Sequence, residues 1–119
     1  MTFRTRTALF ALALAACLIP AGLRAAAPAA PARRSYTGVI GDDMCGVKHS
    51  MGGSDADCTR TCVDGGANYD LIIGQKAYTL ATKDKQALAM LRKLAGKRAT
   101  VRGTLTGTTL AVRSVAVAK

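Results

Sequence analysis

Residues 84–117 read DKQALAMLRKLAGKRATVRGTLTGTTLAVRSVAV, and how this stretch folds decides the architecture of the chain. Residues 84–95 predict a helix, because Ala87, Leu88, Leu91, Leu94 and Ala95 recur at the spacing of one helical face. Gly96 follows as a natural helix stop. The pattern then changes period. Residues 98–105 alternate as a strand does, with Ala99, Val101 and Leu105 on one face, and Thr106-Gly107 turns the chain back. In the returning strand, 109–117, Leu110 and Val112 share one parity, whereas Val115 and Val117 share the other. Because side chains alternate strictly along a strand, an extra residue near Arg113-Ser114 is needed to keep all four on the core side.

Upstream, residues 36–41 predict a first strand, and residues 68–73 and 76–80 predict a hairpin around Gly74-Gln75. The order β-β-β-α-β-β, with a helix between the third and fourth strands, is that of a small OB-like five-stranded barrel. The fold expected is mainly β with one helix, carrying a Cys-bearing helical insertion at 42–67 after the first strand. An open five-stranded sheet with one covering helix is the alternative.

The two ends of the chain differ in kind from its middle. Residues 1–25 predict a signal peptide: Arg4 and Arg6 precede a short apolar run from Ala8 to Ala16, and small residues follow Pro20. That run is shorter than the ~20 apolar residues a spanning helix needs. Residues 26–34 read as a Pro/Ala-rich tether, leaving 35–119 as one domain. The protein is therefore expected in the periplasm or secreted. Leu14-Ala-Ala-Cys17 resembles a lipobox, so a lipid-anchored envelope protein is the alternative, with membrane attachment only if Cys17 is lipidated.

The formal charge of +10 is distributed unevenly. From Ser35 onward, twelve Lys/Arg stand against seven Asp, a net of +5. Segment 35–75 holds two cations and six Asp (net −4), whereas 76–119 holds ten cations and one Asp (net +9). The basic half points to solvated faces or an anionic envelope polymer as partner. It does not point to nucleic acid, because single-strand binding needs aromatic stacking platforms and the hairpin offers only Tyr69 and Tyr78.

The acidic half contains Cys45-x3-His49-x8-Cys58-x3-Cys62, three thiols and the single histidine of the chain. Ser54-Asp-Ala-Asp57 has the form of a capping box and Gly65-Gly66 supplies a stop, so a short helix is expected between them. Cys58 and Cys62 then lie at i and i+4, with Cβ atoms ~5–6 Å apart. A disulfide needs about 3.5–4.5 Å, so these two make better co-ligands than bonded partners. Cys45 and His49 repeat the spacing across Gly52-Gly53, and two facing pairs would form a tetrahedral site for zinc or copper.

Two other readings stand beside the metal site. A disulfide from Cys45 to Cys58 or Cys62 is the ordinary fate of exported cysteines, although it leaves one thiol over. That would make the domain a disulfide-stabilised OB-like module binding a protein or envelope polymer. Nucleophilic or redox chemistry with His49 as base is the third, but no oxyanion-hole or orienting motif accompanies it, so an enzyme is not expected. Met44 and Met51 flank the Cys45/His49 pair; as ligands they would favour Cu(I), and packing is the plainer role. Asp42-Asp43 and Asp55-x-Asp57 lack the glycine and glutamate of an EF-hand, so capping and turn roles suit them better.

The elements Asp43-Met-Cys-Gly-Val-Lys-His-Ser-Met51, Asp57-Cys-Thr-Arg-Thr-Cys-Val63, Gly66-Ala-Asn-Tyr69 and Gly96-Lys-Arg-Ala-Thr-Val-Arg-Gly-Thr-Leu105 together resemble a family of small exported bacterial proteins of unknown function. The resemblance covers nearly all of 35–117. It implies an OB-like barrel and implies that Cys45, His49, Cys58 and Cys62 form a matched set. It implies no activity. Family members usually carry Ser where this chain has Asp43.

Overall fold

The computed structural model describes residues 25–48 and 52–119. The segment read as a signal peptide, Cys17 with it, lies outside the described residues apart from Ala25. Residues 25–33 are exposed and have no regular structure. No helix among the described residues is long and apolar enough to cross a membrane.

The elements run β1 (Arg34–Asp42), α1 (Asp55–Asp64), β2 (Tyr69–Ile73), β3 (Lys76–Ala81), α2 (Lys85–Lys93), β4 (Arg98–Thr106) and β5 (Thr109–Val117). The five strands are hydrogen-bonded in a closed ring, β1-β2-β3-β5-β4, with β4 returning to β1. Every pair is antiparallel except β3 with β5, where Leu80 lies opposite Leu110. Closing the ring removes the free edges that an open sheet would present. β1 starts at Arg34, inside the segment read as tether, because Arg34 pairs with Gly103 of β4.

Each strand contributes alternate residues to one core. Ile40, Leu71, Val101 and Leu110 are fully buried there, together with Leu91 of α2. The parity change in β5 is resolved by a bulge. Arg102 pairs with Ser114 and Gly103 with Val112, so Arg113 is the additional residue. Val112 and Val115 then both pack on the core, whereas Val117 remains exposed at the strand's end.

Asp84 caps α2 by accepting the Ala87 N–H at 2.8 Å. The buried stripe of α2 is narrower than the periodicity predicts. Ala87, Leu91 and Leu94 carry it, with Met90 beside them, and Leu88 is left 38% exposed on the flank. One helical position from Ala87 to Leu88 rotates the side chain by about 100°, off the face centred on Leu91. Beyond the helix, Ala95 bridges to Ile40. Gly96 N–H donates to the Ile40 carbonyl at 2.8 Å, and Ile40 N–H to the Lys97 carbonyl at 3.0 Å. The exit of α2 is thereby tied to β1, the strand that leads into the cysteine segment.

Candidate metal centre

α1 forms where the capping signal places it. Ser54 Oγ accepts the Asp57 N–H at 3.1 Å and donates to Asp57 Oδ2 at 2.7 Å. At the other end Gly65 N–H reaches the carbonyls of Thr61 and Cys62, and Ala67 N–H also reaches that of Cys62. Between these caps Cys58 and Cys62 fall on the inner face, 4% and 6% exposed.

Three contacts fix α1 against α2 and the residues that follow it. Arg92 forms a two-point ion pair with Asp64, at 2.6 and 3.1 Å, which lowers the Asp64 pKa and raises that of Arg92. Arg60 Nε donates to the Arg92 carbonyl at 3.2 Å. Gly96, at φ +71°, lets the backbone of Asp55 and Ala56 come close: a Cβ there would lie 2.7 Å from Ala56 N.

The third cysteine arrives from β1. Asp42, the last residue of that strand, is fully buried. Its Oδ1 accepts the N–H groups of Met44 at 3.1 Å and Cys45 at 2.9 Å, closing the turn that presents Cys45. Asp43 holds the same turn to the start of β2, accepting from Asn68 N at 2.9 Å and Asn68 Nδ2 at 2.8 Å.

In consequence, Cys45 Sγ lies 3.5 Å from Cys58 Sγ and 3.9 Å from Cys62 Sγ. All three sulfurs lie within 4.8 Å of one another. They are free thiols; the disulfide expected as an alternative is not formed, since an S–S bond is only about 2.05 Å long. A tetrahedral ion with metal–sulfur bonds of about 2.3 Å spaces its sulfurs about 3.8 Å apart. The two distances from Cys45 straddle that value.

The electrostatics favour the protonated form of the two helix thiols, Cys58 and Cys62. Burial, the Cys45 contact and the nearby Asp42 carboxylate push Cys62 up to about 12. The Cys45 contact raises Cys58 most, followed by burial. Asp42 Oδ2, near the helix thiols, is buried without a hydrogen-bond partner, as are Thr59 Oγ1 on α1 and Asp70 Oδ1 on β2. Asp70 is raised by burial and by Asp43 and Asp42, against a hydrogen bond from Thr79. Three sulfurs close enough to hold a metal ion, with the Asp42 carboxylate nearby, are what this corner of the molecule offers.

The ligand set read from the sequence is placed in part. Cys45, Cys58 and Cys62 come together; His49 and Met51 lie outside the described residues. The expected pairing of Cys45 with His49 falls on residues outside those described. Residues 43–47 are a turn, and Gly46 at φ +60° is incompatible with continuing a right-handed helix. Met44 is 70% exposed and stands outside the core cluster, which corrects its expected role as packing filler.

Asp42 was the residue that sequence reasoning undervalued. Its turn role holds, but its burial beside the thiols was legible too. It shares the parity of core residue Ile40, and so must face inward. Comparison of the chain with protein families, curated proteins and solved structures gives no match.

Proposed function

We propose that this protein binds one soft metal ion, zinc or copper, through Cys45, Cys58 and Cys62, with His49 as fourth ligand. The supporting observation is the convergence of three free thiols within 4.8 Å at the junction of β1 and α1. The setting proposed is an exported bacterial protein with an OB-like barrel, and the role is sequestration, delivery or structural use of the ion. Thiolates and imidazole are ligands that zinc and copper share, and a buried site excludes competing water. Binding one ion displaces thiol protons, so affinity falls steeply in mild acid.

Intact mass of the purified full chain, recorded under native and then denaturing conditions, tests the reading. The expected result is a mass excess of one zinc or copper ion that disappears on denaturation, with Cys45, Cys58 and Cys62 all free to alkylate. His49→Ala should weaken retention of the ion while leaving the fold intact. A chain that stays ion-free in a stoichiometric excess of zinc and of Cu(I) defeats the proposal.

One observation favours a second role for the same module. Arg98, Arg102 and Arg113 are exposed, and none forms an ion pair among the described residues. They supply the positive surface an anionic envelope polymer would need. Such binding should be salt-sensitive and indifferent to His49→Ala and to chelators.

A further inference from the structure

Cys45 differs from the other two thiols in two respects. It is only partly buried, on a turn, whereas Cys58 and Cys62 are buried on a helix. It is also the sulfur common to both short contacts, 3.5 Å to Cys58 and 3.9 Å to Cys62. Cys58 and Cys62 are separated by one helical turn, whose geometry opposes a bond between them. Any single disulfide within the cluster is therefore directed through Cys45.

We infer that Cys45 is the entry point for thiol–disulfide exchange with small-molecule disulfides, and that the helix thiols resolve the adduct. This goes beyond the metal reading and does not depend on an ion. In the first step the Cys45 thiol gives its proton to solvent, and its sulfur attacks one sulfur of oxidised glutathione. A Cys45–glutathione bond forms, the glutathione S–S bond breaks, and one glutathione leaves as thiol. In the second step the Cys58 sulfur, deprotonated to solvent, attacks Cys45 Sγ. The Cys45–Cys58 bond forms and the second glutathione leaves as thiol.

Two protein thiols are thus oxidised to one disulfide while one glutathione disulfide is reduced to two thiols. Cys62 remains free beside Cys45 and can attack Cys45 Sγ in turn, expelling Cys58 as a thiol. The product is a pair of interchanging isomers, Cys45–Cys58 and Cys45–Cys62, with Cys45 in both. Access governs which thiol meets the external disulfide, and proximity governs which one resolves it.

The test uses the full chain carrying Cys17→Ser, so that three thiols are counted, stripped of metal and incubated with oxidised glutathione. Expected is a product two hydrogens lighter with no glutathione retained. Peptide mapping after alkylation should find Cys45 in every disulfide, shared between Cys58 and Cys62. Cys45→Ser should slow glutathione consumption by about tenfold or more, because only buried thiols remain. A predominant Cys58–Cys62 bond, or a glutathione adduct that persists on Cys45, overturns the proposal.

A Cys45→Ser rate equal to that of the parent also overturns it. Should that variant lose its helical circular dichroism, the peptide map of the parent decides alone. A parallel reaction with saturating zinc separates this inference from the metal reading. Protection by zinc supports both. Unchanged oxidation in zinc, with Cys45 still in every bond, supports exchange and counts against the metal site.

Discussion

Replacing Gly96 by Ala should dislodge α1 and with it the thiol cluster, although Gly96 is itself remote in sequence from every cysteine. Two costs combine. At φ +71° an L side chain is in the left-handed region, a penalty of about 1–2 kcal/mol. The new methyl would also stand 2.7 Å from Ala56 N, 3.0 Å from Ala56 Cα and 3.2 Å from Asp55 C, all backbone. Rotating a side chain relieves none of these contacts, so the first turn of α1 must retreat, an overpacking cost of about 1–3 kcal/mol. The combined loss is about 2–5 kcal/mol.

Gly107 supplies the control. Its φ is +60° and nothing lies within 4 Å of its Cβ position, so Gly107→Ala carries the backbone penalty alone. Urea unfolding of the two variants, monitored by far-UV circular dichroism, isolates the contact with α1 as their difference. Zinc titration against a chromophoric chelator supplies the second readout. Gly96→Ala should lose affinity because Cys58 and Cys62 move with α1 while Cys45 stays with β1. Gly107→Ala should keep it. Equal unfolding midpoints and equal zinc affinities for the two variants would refute the argument that close approach at Gly96 anchors α1.

Zinc-free, reduced protein should lose stability on the alkaline side. The folded-state pKa values of Cys58 and Cys62, the latter about 12, lie above the ~8.5 of an unfolded thiol. The native state therefore holds protons the unfolded chain releases, and the stabilisation, complete below about pH 8.5, declines as pH rises toward 12. Urea midpoints that do not fall between about pH 8 and pH 10 contradict this; a Cys58→Ser/Cys62→Ser double variant should show the flatter profile. Asp42→Ala should lower zinc affinity by about tenfold. Two N–H bonds to a carboxylate disappear, at about 1.5–3 kcal/mol each, offset in part by removal of the unpartnered Oδ2. Asp42→Asn keeps the acceptor and should lose less, and identical zinc titrations of the two variants would exclude a positioning role.

Much of the ring was legible because strand periodicity is local. The alternation of Ala99, Val101 and Leu105 marked the core face of β4, and the parity change in β5 located the bulge that Arg113 occupies. The capping box at Ser54 marked the start of α1, and apolar periodicity alone placed the start of α2 near Asp84. Ring closure was not legible in the same way. The β1–β4 ladder joins residues such as Tyr36 and Val101, and the parallel β3–β5 pairing is a tertiary choice that local pattern does not encode. At the site, i,i+4 spacing was reliable for Cys58 and Cys62, which lie between strong caps. Cys45 instead lies on a turn, where Gly46 takes a positive φ, and its partner at that spacing, His49, lies outside the described residues.

On the proposed readings the three sulfurs have two mutually exclusive uses, an ion or a disulfide, and either would stabilise the fold. A Cys45–Cys58 bond would close a span of thirteen residues, constraining the unfolded chain by about 3 kcal/mol. An ion present at about a hundred times its dissociation constant stabilises the fold by about 2.7 kcal/mol. For a small domain, either contribution is a large part of a total of 5–15 kcal/mol, the usual range for folded proteins. The ion's contribution grows with its concentration relative to its dissociation constant, whereas the disulfide's is set by the loop it closes. Each disulfide isomer consumes Cys45 and one helix thiol, leaving a single sulfur, too few for a tetrahedral site. The turn held by Asp42 is the element both outcomes share, since it carries Cys45, the sulfur common to both close contacts. What decides the state is thus the relative supply of ion and oxidant around Cys45.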